Sequence, residues 1–300
     1  MPWWKRRRSD MPEQPPAPVA PPRPADRARA DVMLRLRATA VGQLPSDGTA
    51  VIAGQQLTGR RFRADPTFDQ EGSGPAERGW LTDDEIVDVE EYWWRLAHDF
   101  HSTGLWPLVT DGLNGDLDRP WREGELGAIE DPEGVDIEAF LRSNLEGDEQ
   151  DDDSELRWQG LAPAMAFTGD GATADPEVGQ LPYRLEAAPL GALMLVPALR
   201  PADVLARLGW LGAANLDAGG GQLSAVLRSW EDRFGAVPVC LGFDTLVLAV
   251  SRPPTDPAAL GQLALEHYGF CPDNIDQGAG SVEAYTMDLA GQRMWSFWWD

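Results

Sequence analysis

The sequence predicts an α+β fold with a mixed or largely antiparallel sheet and helices packed on one face. The first observation is the order of elements after Trp158, which runs strand, helices, two strands, helix and strands. The second is a pair of β-rich runs, residues 237–243 and 245–251, which meet at Asp244 and are typical of an antiparallel hairpin. The glycines at 219–221 lack the lysine and the spacing of a nucleotide-binding loop, so no cofactor is predicted.

Composition divides the 300 residues into four segments. Residues 1–30 are basic and rich in Pro and Ala, which predicts a disordered tail. Residues 146–155 contain seven acids, so we expect an acidic linker over 146–157. A smaller α/β N-terminal region is therefore predicted over residues 31–145, and a C-terminal α+β domain over residues 158–300.

The N-terminal region has one strong helix signal. Thr82 and Glu85 form a capping box, and an apolar stripe follows until Gly104, which predicts a helix starting at Leu81. Shorter signals predict strands at 49–53 and 105–110, a helix at 136–145, and a loop at 65–75.

The C-terminal domain begins with a buried strand at 192–197 and a helix at 202–208. Residues 223–234 form the best amphipathic helix, and Gly235 ends it. The alternation at 281–289 predicts another strand. Alternation at the C-terminus predicts a strand in which Trp295, Phe297 and Trp299 share one face.

The clearest helix start lies at Asp256, which is placed to cap a helix whose first residue is Pro257. Apolar positions then recur at helical spacing and include His267, and Gly269 is the predicted stop. Cys271 follows under the same face.

Two interpretations of His267 and Cys271 remain open. The functional one is a thiolate–imidazole pair acting as nucleophile and base, or as metal ligands. The other is a core histidine beside an inert buried thiol. Candidate catalytic residues on the functional interpretation are Glu266, His267, Cys271, Asp273 and Asp300, with Trp298 nearby.

His98 and His101 lie one turn apart on the first predicted helix, a spacing that could hold a metal ion. However, His98 points away from the apolar stripe and His101 lies at its edge. No further ligand stands at suitable spacing, so exposed helix-end histidines are the simpler interpretation.

The net charge of −24 is unevenly distributed. The tail has seven bases and three acids, so the remainder carries −28. A body this acidic repels nucleic acid and anionic lipid, and it favours basic protein partners, cations or simply solubility. The cluster of Trp3, Trp4 and the bases at 5–8 is one short signal, whereas stable membrane anchoring usually takes two, so we interpret it as part of the tail.

Two cysteines, Cys240 and Cys271, give no disulfide framework, which indicates a reducing cytoplasm. No apolar run has membrane-spanning length, and the N-terminus lacks the apolar core of a signal peptide. The thirteen tryptophans are anchors either of the core or of an interface.

Four runs in the C-terminal third support a family resemblance: LSAVLRSWEDRFGA, DTLVLAVSRPPTDP, LALEHYGFCPDNIDQG and WSFWWD. Over about residues 190–300 the chain resembles a bacterial, mostly actinobacterial, domain-of-unknown-function family, number 4253 in that series. Upstream, TGLWP at 103–107 and RPW at 119–121 look like an associated N-terminal region of the same proteins.

The resemblance implies no catalytic residues. The family pattern often has a Trp-Asn-Asp-Cys-Pro-like stretch, where this chain reads GWLGAANLDAGG. Trp210 and Asn215 match that pattern and are candidate binding residues with Trp298. The cysteine of the pattern is absent here, so chemistry that depends on it is not expected.

Two functions from different classes follow. The first is a cytoplasmic protein-interaction module, of which an inhibitor or immunity-like protein is one version. The second is a hydrolase-type enzyme, with these residues gathered at one end of the sheet: Glu231, Asp244, Glu266, His267, Cys271, Asp273 and Asp300. A concave pocket lined by them would favour the enzyme, and a convex acidic or aromatic patch the binding module.

Overall fold

The structure, a computed structural model, describes residues 32–52, 54–69, 77–147, 157–165, 178–181 and 190–300. The predicted tail and residues 148–156 of the predicted acidic linker lie outside these ranges, and both interpretations stay predictions. Within them the chain forms one large sheet, one two-stranded sheet and six α-helices.

The strands are β1 (Val32–Arg35), β2 (Gly48–Ile52), β3 (Gln55–Arg63), β4 (Glu77–Thr82), β5 (Ile86–Val87), β6 (Leu105–Thr110), β7 (Val178–Leu181), β8 (Leu190–Pro197), β9 (Ala236–Leu241), β10 (Thr245–Val250) and β11 (Met294–Trp298). The large sheet has the order β11-β10-β9-β6-β8-β4-β3-β2, and β5 also pairs with β8. Among the described strand pairs, β6–β9 is parallel and the others are antiparallel. The predicted α+β class with a mostly antiparallel mixed sheet is confirmed.

Strands from both sides of the predicted boundary share this sheet. β8 lies between β6 and β4, and β9 pairs with β6, so C-terminal strands alternate with N-terminal ones. All residues of β6, β9 and β10 are buried, because both faces of the sheet are covered at its centre. The acidic segment therefore does not separate two independent sheets.

The helices are α1 (Val89–Thr103), α2 (Ile137–Gly147), α3 (Val204–Leu208), α4 (Gly220–Phe234), α5 (Pro257–Phe270) and α6 (Val282–Leu289). α1 packs on β6 and β8, α3 packs on β8, and α4 packs on β9. α5 lies between α2 and α6 and contacts both. Within the part of the chain that the structure describes, no helix combines the length and apolar character needed to cross a bilayer.

Three strong local predictions are confirmed: the start of α5, the end of α4 and the alternation of the last strand. The Asp256 carboxylate accepts the Ala259 N–H at 3.0 Å, and Pro257 is the first residue of α5. Gly235 ends α4 in the left-handed conformation at φ 62°. The C-terminal alternation also holds, because Trp295, Phe297 and Trp299 are buried.

The predicted start of the first helix is wrong. Thr82 ends β4, and its hydroxyl accepts the Leu193 N–H of β8 at 3.0 Å while donating to the Asp84 carbonyl. The helix begins at Val89, after Asp88 adopts a left-handed conformation with φ 55°. Pairing with β8 thus replaces the helical turn that the capping box favours, since tertiary contacts override local propensity.

Two further predictions are corrected beside α5. Residues 281–289 form α6 and not a strand, because the Ser281 hydroxyl accepts the Ala284 N–H at 3.1 Å and starts a helix. Gly269 does not end α5, which continues to Phe270. A Cβ at Gly269 would lie 2.4 Å from the Leu141 carbonyl oxygen, so this glycine permits close packing of α2 on α5.

Tryptophans anchor the core. Fully buried indoles occur at Trp80, Trp93, Trp106, Trp121, Trp210, Trp230, Trp295 and Trp299. Trp93 and Phe100 of α1 both pack edge-on against Trp106 of β6. Trp230 of α4 stacks on Phe297 of β11 with ring centroids 5.5 Å apart. Each contact joins a helix to the sheet. At these positions the tryptophans therefore anchor the core and not an interface.

Candidate functional site

Four strand ends meet at one edge of the sheet. β6 and β9 are parallel neighbours, so both have their carboxyl ends at this edge. β10 is antiparallel to β9 and begins here, and β11 ends here because Thr245 pairs with Trp298. Ligands often bind outside the carboxyl ends of neighbouring parallel strands, so a binding site is expected at this edge.

A cleft of about 660 Å³ lies at this edge. Four aspartates line it: Asp111 follows β6, Asp244 lies in the β9–β10 turn, Asp273 follows α5, and Asp288 lies on α6. Two of the four, Asp244 and Asp273, belong to the set proposed from sequence. We refer to this region as the aspartate cleft.

Aromatic and amide groups form the rest of the aspartate cleft wall. Trp298 and Tyr285 line it and are half-buried. Asn274 donates to the Ser296 carbonyl at 2.7 Å and lies 3.4 Å from the Tyr285 hydroxyl, so it ties the turn after α5 to β11 and α6. The wall therefore offers ring faces beside carboxylates.

The electrostatic character of the cleft is acidic. No Lys, Arg or His is among the described residues that line it. Arg119 stacks on Phe243 near the β9–β10 turn, but its guanidinium is paired with Glu125. Burial raises the pKa of the Asp244 carboxyl, and the neighbouring Asp300 carboxylate raises it further.

The acids are spread around the cleft. Across the described residues, no three His, Cys, Asp or Glu side chains are grouped closely enough to hold a metal ion. A dispersed set of carboxylates beside aromatic rings suits an extended organic cation, whose charge is delocalised or carried on a long stem.

His267 lies behind the cleft and is fully buried. Its Nδ1 is 3.0 Å from the Tyr285 hydroxyl, while Nε2 has no hydrogen-bond partner and the ring packs against Trp230, Trp295 and Phe297. Burial lowers the His267 pKa to about 3, with the Arg233 charge adding to the effect. The imidazole is therefore neutral and reaches the cleft only through Tyr285.

Cys271 is also fully buried, and its thiol donates to the Trp298 carbonyl at 3.0 Å. Burial raises the pKa of this thiol to about 12. At neutral pH the sulfur is a protonated thiol without nucleophilic character. The Cys271 backbone N–H donates to the His267 carbonyl at 2.8 Å, but their side chains do not hydrogen-bond to each other.

Glu266 and Glu231 lie in buried ion pairs. Glu266 accepts from Arg233, from the Trp230 indole at 2.8 Å and from the Ala162 N–H at 2.7 Å. Glu231 accepts from Arg37, from Arg200 and from the Ala202 N–H, and its burial raises its pKa. Neither carboxylate lines the cleft. Glu266 joins α5 to α4, and Glu231 joins α4 to the segments after β1 and β8.

A polar cluster surrounds Asp273 at the cleft wall. The Asp273 carboxylate accepts from the Asp300 N–H at 3.0 Å and from Gln277 at 2.8 Å, and lies 3.4 Å from the Asn215 amide. Asn215 is exposed and also donates to the Asp300 carbonyl. Trp210 is buried, donates to the Gly242 carbonyl at 3.0 Å and packs on Trp299, so it supports this end of the sheet from within.

His98 and His101 are not brought together with other ligands. His98 is exposed, and Nδ1 of His101 lies 2.6 Å from the Arg37 carbonyl. The second histidine thus joins the end of α1 to the segment after β1.

Sequence reasoning missed three groups of this site: Asp111, Asp288 and Tyr285. Asp111 follows a predicted strand directly, and this position was the available signal. Tyr285 and Asp288 were missed because residues 281–289 were predicted to form a strand. Side chains point in different directions on a strand and on a helix.

Comparison with known families supports the resemblance seen in the sequence. The model of a domain of unknown function (DUF4253) matches residues 192–300. The matched segment runs from β8 to the C-terminus and includes α3 to α6. No curated protein and no solved structure matches the chain.

Proposed function

We propose that the protein is a protein-interaction module whose aspartate cleft binds a cationic segment of a protein partner. The observation that carries this proposal is the lining: four aspartates with Trp298 and Tyr285, and no basic side chain among the described lining residues. A negative concave wall concentrates cations and raises the rate of their association.

The dimensions of the cleft suit a side chain or short peptide. Its volume of about 660 Å³ lies within the range of about 300–1,000 Å³ that is usual for ligand pockets. A Lys or Arg side chain can place its charge between carboxylates and its stem or guanidinium face on Trp298. The chain-wide charge of −24 adds long-range attraction to a basic protein.

One version of this function is an inhibitor or immunity-like protein that occupies a basic enzyme. The acidic body supports it, because such complexes form by electrostatic steering between oppositely charged surfaces. Its site would be the aspartate cleft together with the exposed Asn215 and Asp300 beside Asp273.

The test is binding of a fluorescein-labelled oligoarginine peptide, measured by fluorescence anisotropy at low and moderate salt. We expect Asp288→Asn to weaken binding about threefold to tenfold, because it removes one cleft charge from an exposed side chain. Asp84→Asn is the matched control: it makes the same chemical change at an exposed aspartate outside the lining. Equal affinities of the two variants would reject the cleft as the binding surface.

A hydrolase is the second candidate, and the raised pKa of Asp244 favours it. The cleft is concave and contains Asp244 and Asp273, so one carboxyl could donate a proton to a leaving group while the other takes a proton from water. Glu231, Glu266, His267 and Cys271 do not line it, which leaves the carboxylates alone to do this chemistry. An activity screen in which Asp244→Asn abolishes turnover while folding is retained would select the enzyme.

A further inference from the structure

The chain itself contains a segment suited to occupy the aspartate cleft. Residues 3–8 read WWKRRR and lie outside the described part of the structure. Building on the proposed function, we propose that this segment binds the aspartate cleft of its own chain and competes there with the basic partner.

The segment and the cleft have complementary charges. The segment presents four consecutive bases, Lys5 to Arg8, to a cleft lined by four aspartates. Trp3 and Trp4 precede these bases, and the cleft offers Trp298 and Tyr285 as ring partners. One chain thus contains the partners for both kinds of contact, a cation with a carboxylate and one aromatic ring with another.

Two other cavities do not suit a basic segment. One groove of about 410 Å³ is lined by Arg60, Arg61, Arg63 and Arg122. Another of about 420 Å³ is lined by Arg61, Arg78 and Arg207. Arginines outnumber the acidic lining residues in both grooves and repel a basic segment, so of these three cavities the aspartate cleft is the complementary one.

The length of chain permits the contact. Residues 9–31 join the basic run to Val32 at the start of β1, and these 23 residues span at most about 75 Å when fully extended. A 300-residue fold has a radius of gyration of about 19 Å, so every face lies within reach. A tethered segment acts at an effective concentration in the millimolar range, which lets a weak contact compete with an external partner.

The test exploits an unusual feature of the composition: Lys5 is the sole lysine of the chain. A carbodiimide joins a lysine amine to a carboxylate as an amide with loss of water, without any spacer. In dilute full-length protein we expect the Lys5 amine to crosslink to Asp273 or Asp288, read out by mass spectrometry of peptides. Asp288→Asn and Asp84→Asn again form the matched pair, and the first alone should reduce crosslinking to α6.

A mixture of isotopically light and heavy protein separates contacts within one chain from contacts between chains. Crosslinks confined to like-labelled peptides support the proposal. Crosslinks from Lys5 only to carboxylates outside the cleft, or only between chains, overturn it.

The companion measurement replaces Lys5, Arg6, Arg7 and Arg8 by Ser in the full chain and titrates the labelled oligoarginine peptide. We expect about fivefold tighter binding than to the unaltered chain, because the competing segment is lost. Equal binding to both chains, with no crosslink in the cleft, rejects the segment as occupant and leaves the proposed function intact. Absence of any binding to the substituted chain rejects the proposed function itself.

Discussion

The Tyr285 hydroxyl lies 3.0 Å from Nδ1 of the buried His267, so one hydrogen bond links the wall of the aspartate cleft to the aromatic core of the domain. Tyr285 lines the cleft, while the His267 ring packs against Trp230 and Phe297. The polar His267 on an apolar helix face thus connects α5 to α6, the helix that carries Asp288.

Trp298 provides a direct test of cation binding in the cleft. Trp298→Leu should weaken oligoarginine binding about threefold to thirtyfold, because it removes the ring face that a guanidinium would cover. Fluorescence anisotropy with the chain carrying Ser at positions 5–8 measures the effect without competition from the N-terminal segment. Trp158→Leu is the control, since Trp158 is also half-buried but lies outside the cleft lining. Similar losses in the two variants would argue against stacking on Trp298.

Cysteine reactivity tests whether Cys271 is a nucleophile. Burial and a pKa of about 12 predict that Cys271 does not react with a thiol reagent such as dithiobis(nitrobenzoate) at neutral pH in the folded protein. Cys240 is buried too, so both thiols should react only after unfolding. Rapid labelling of Cys271 in the native state would restore the thiolate hypothesis.

His267 predicts a pH dependence of stability. Its pKa is about 3 in the fold and 6.5 in the unfolded chain, so between these values the unfolded state binds the extra proton. The neutral His267 therefore does not reduce the free energy of unfolding above pH 6.5. Below that pH the free energy of unfolding falls by about 1.4 kcal/mol per pH unit as the pH drops toward 3.

Urea unfolding at several pH values checks this slope in the unaltered chain and in His267→Gln. In the variant the free energy of unfolding should fall less steeply with decreasing pH, by the slope that one bound proton produces, because glutamine does not titrate. Parallel pH profiles would show that His267 is solvated or protonated in the fold.

Glu266 is predicted to matter for stability and not for chemistry. Glu266→Ala removes the ion-pair partner of Arg233 and the acceptor of the Trp230 indole, and we expect the free energy of unfolding to fall by about 3–5 kcal/mol. Glu138→Ala, at an exposed position of α2, should change it by about 0.5 kcal/mol or less. Denaturant unfolding provides both values. Loss of activity or peptide binding by Glu266→Ala in fully folded protein would contradict a purely structural role.

Local signals account for the parts of the fold that were predictable. Asp256 and Pro257 specify the start of α5, and alternation of large rings specifies β11, because both depend on neighbouring residues alone. α6 was missed since eight residues fit either period, and the Ser281 cap decided the outcome.

By itself the sequence determined the charge, the α+β class, the approximate position of every helix except α6, and the family resemblance of the C-terminal third. It predicted strands at β2, β6, β8, β9, β10 and β11 but not at β1, β3, β4, β5 or β7. Only the tertiary structure decided that His267, Cys271 and Glu266 are buried and that Asp111, Asp244, Asp273 and Asp288 surround one cleft. The physical reason is that the cleft forms where parallel β6 and β9 end side by side. More than a hundred residues separate these strands in the chain, and no local pattern encodes that pairing.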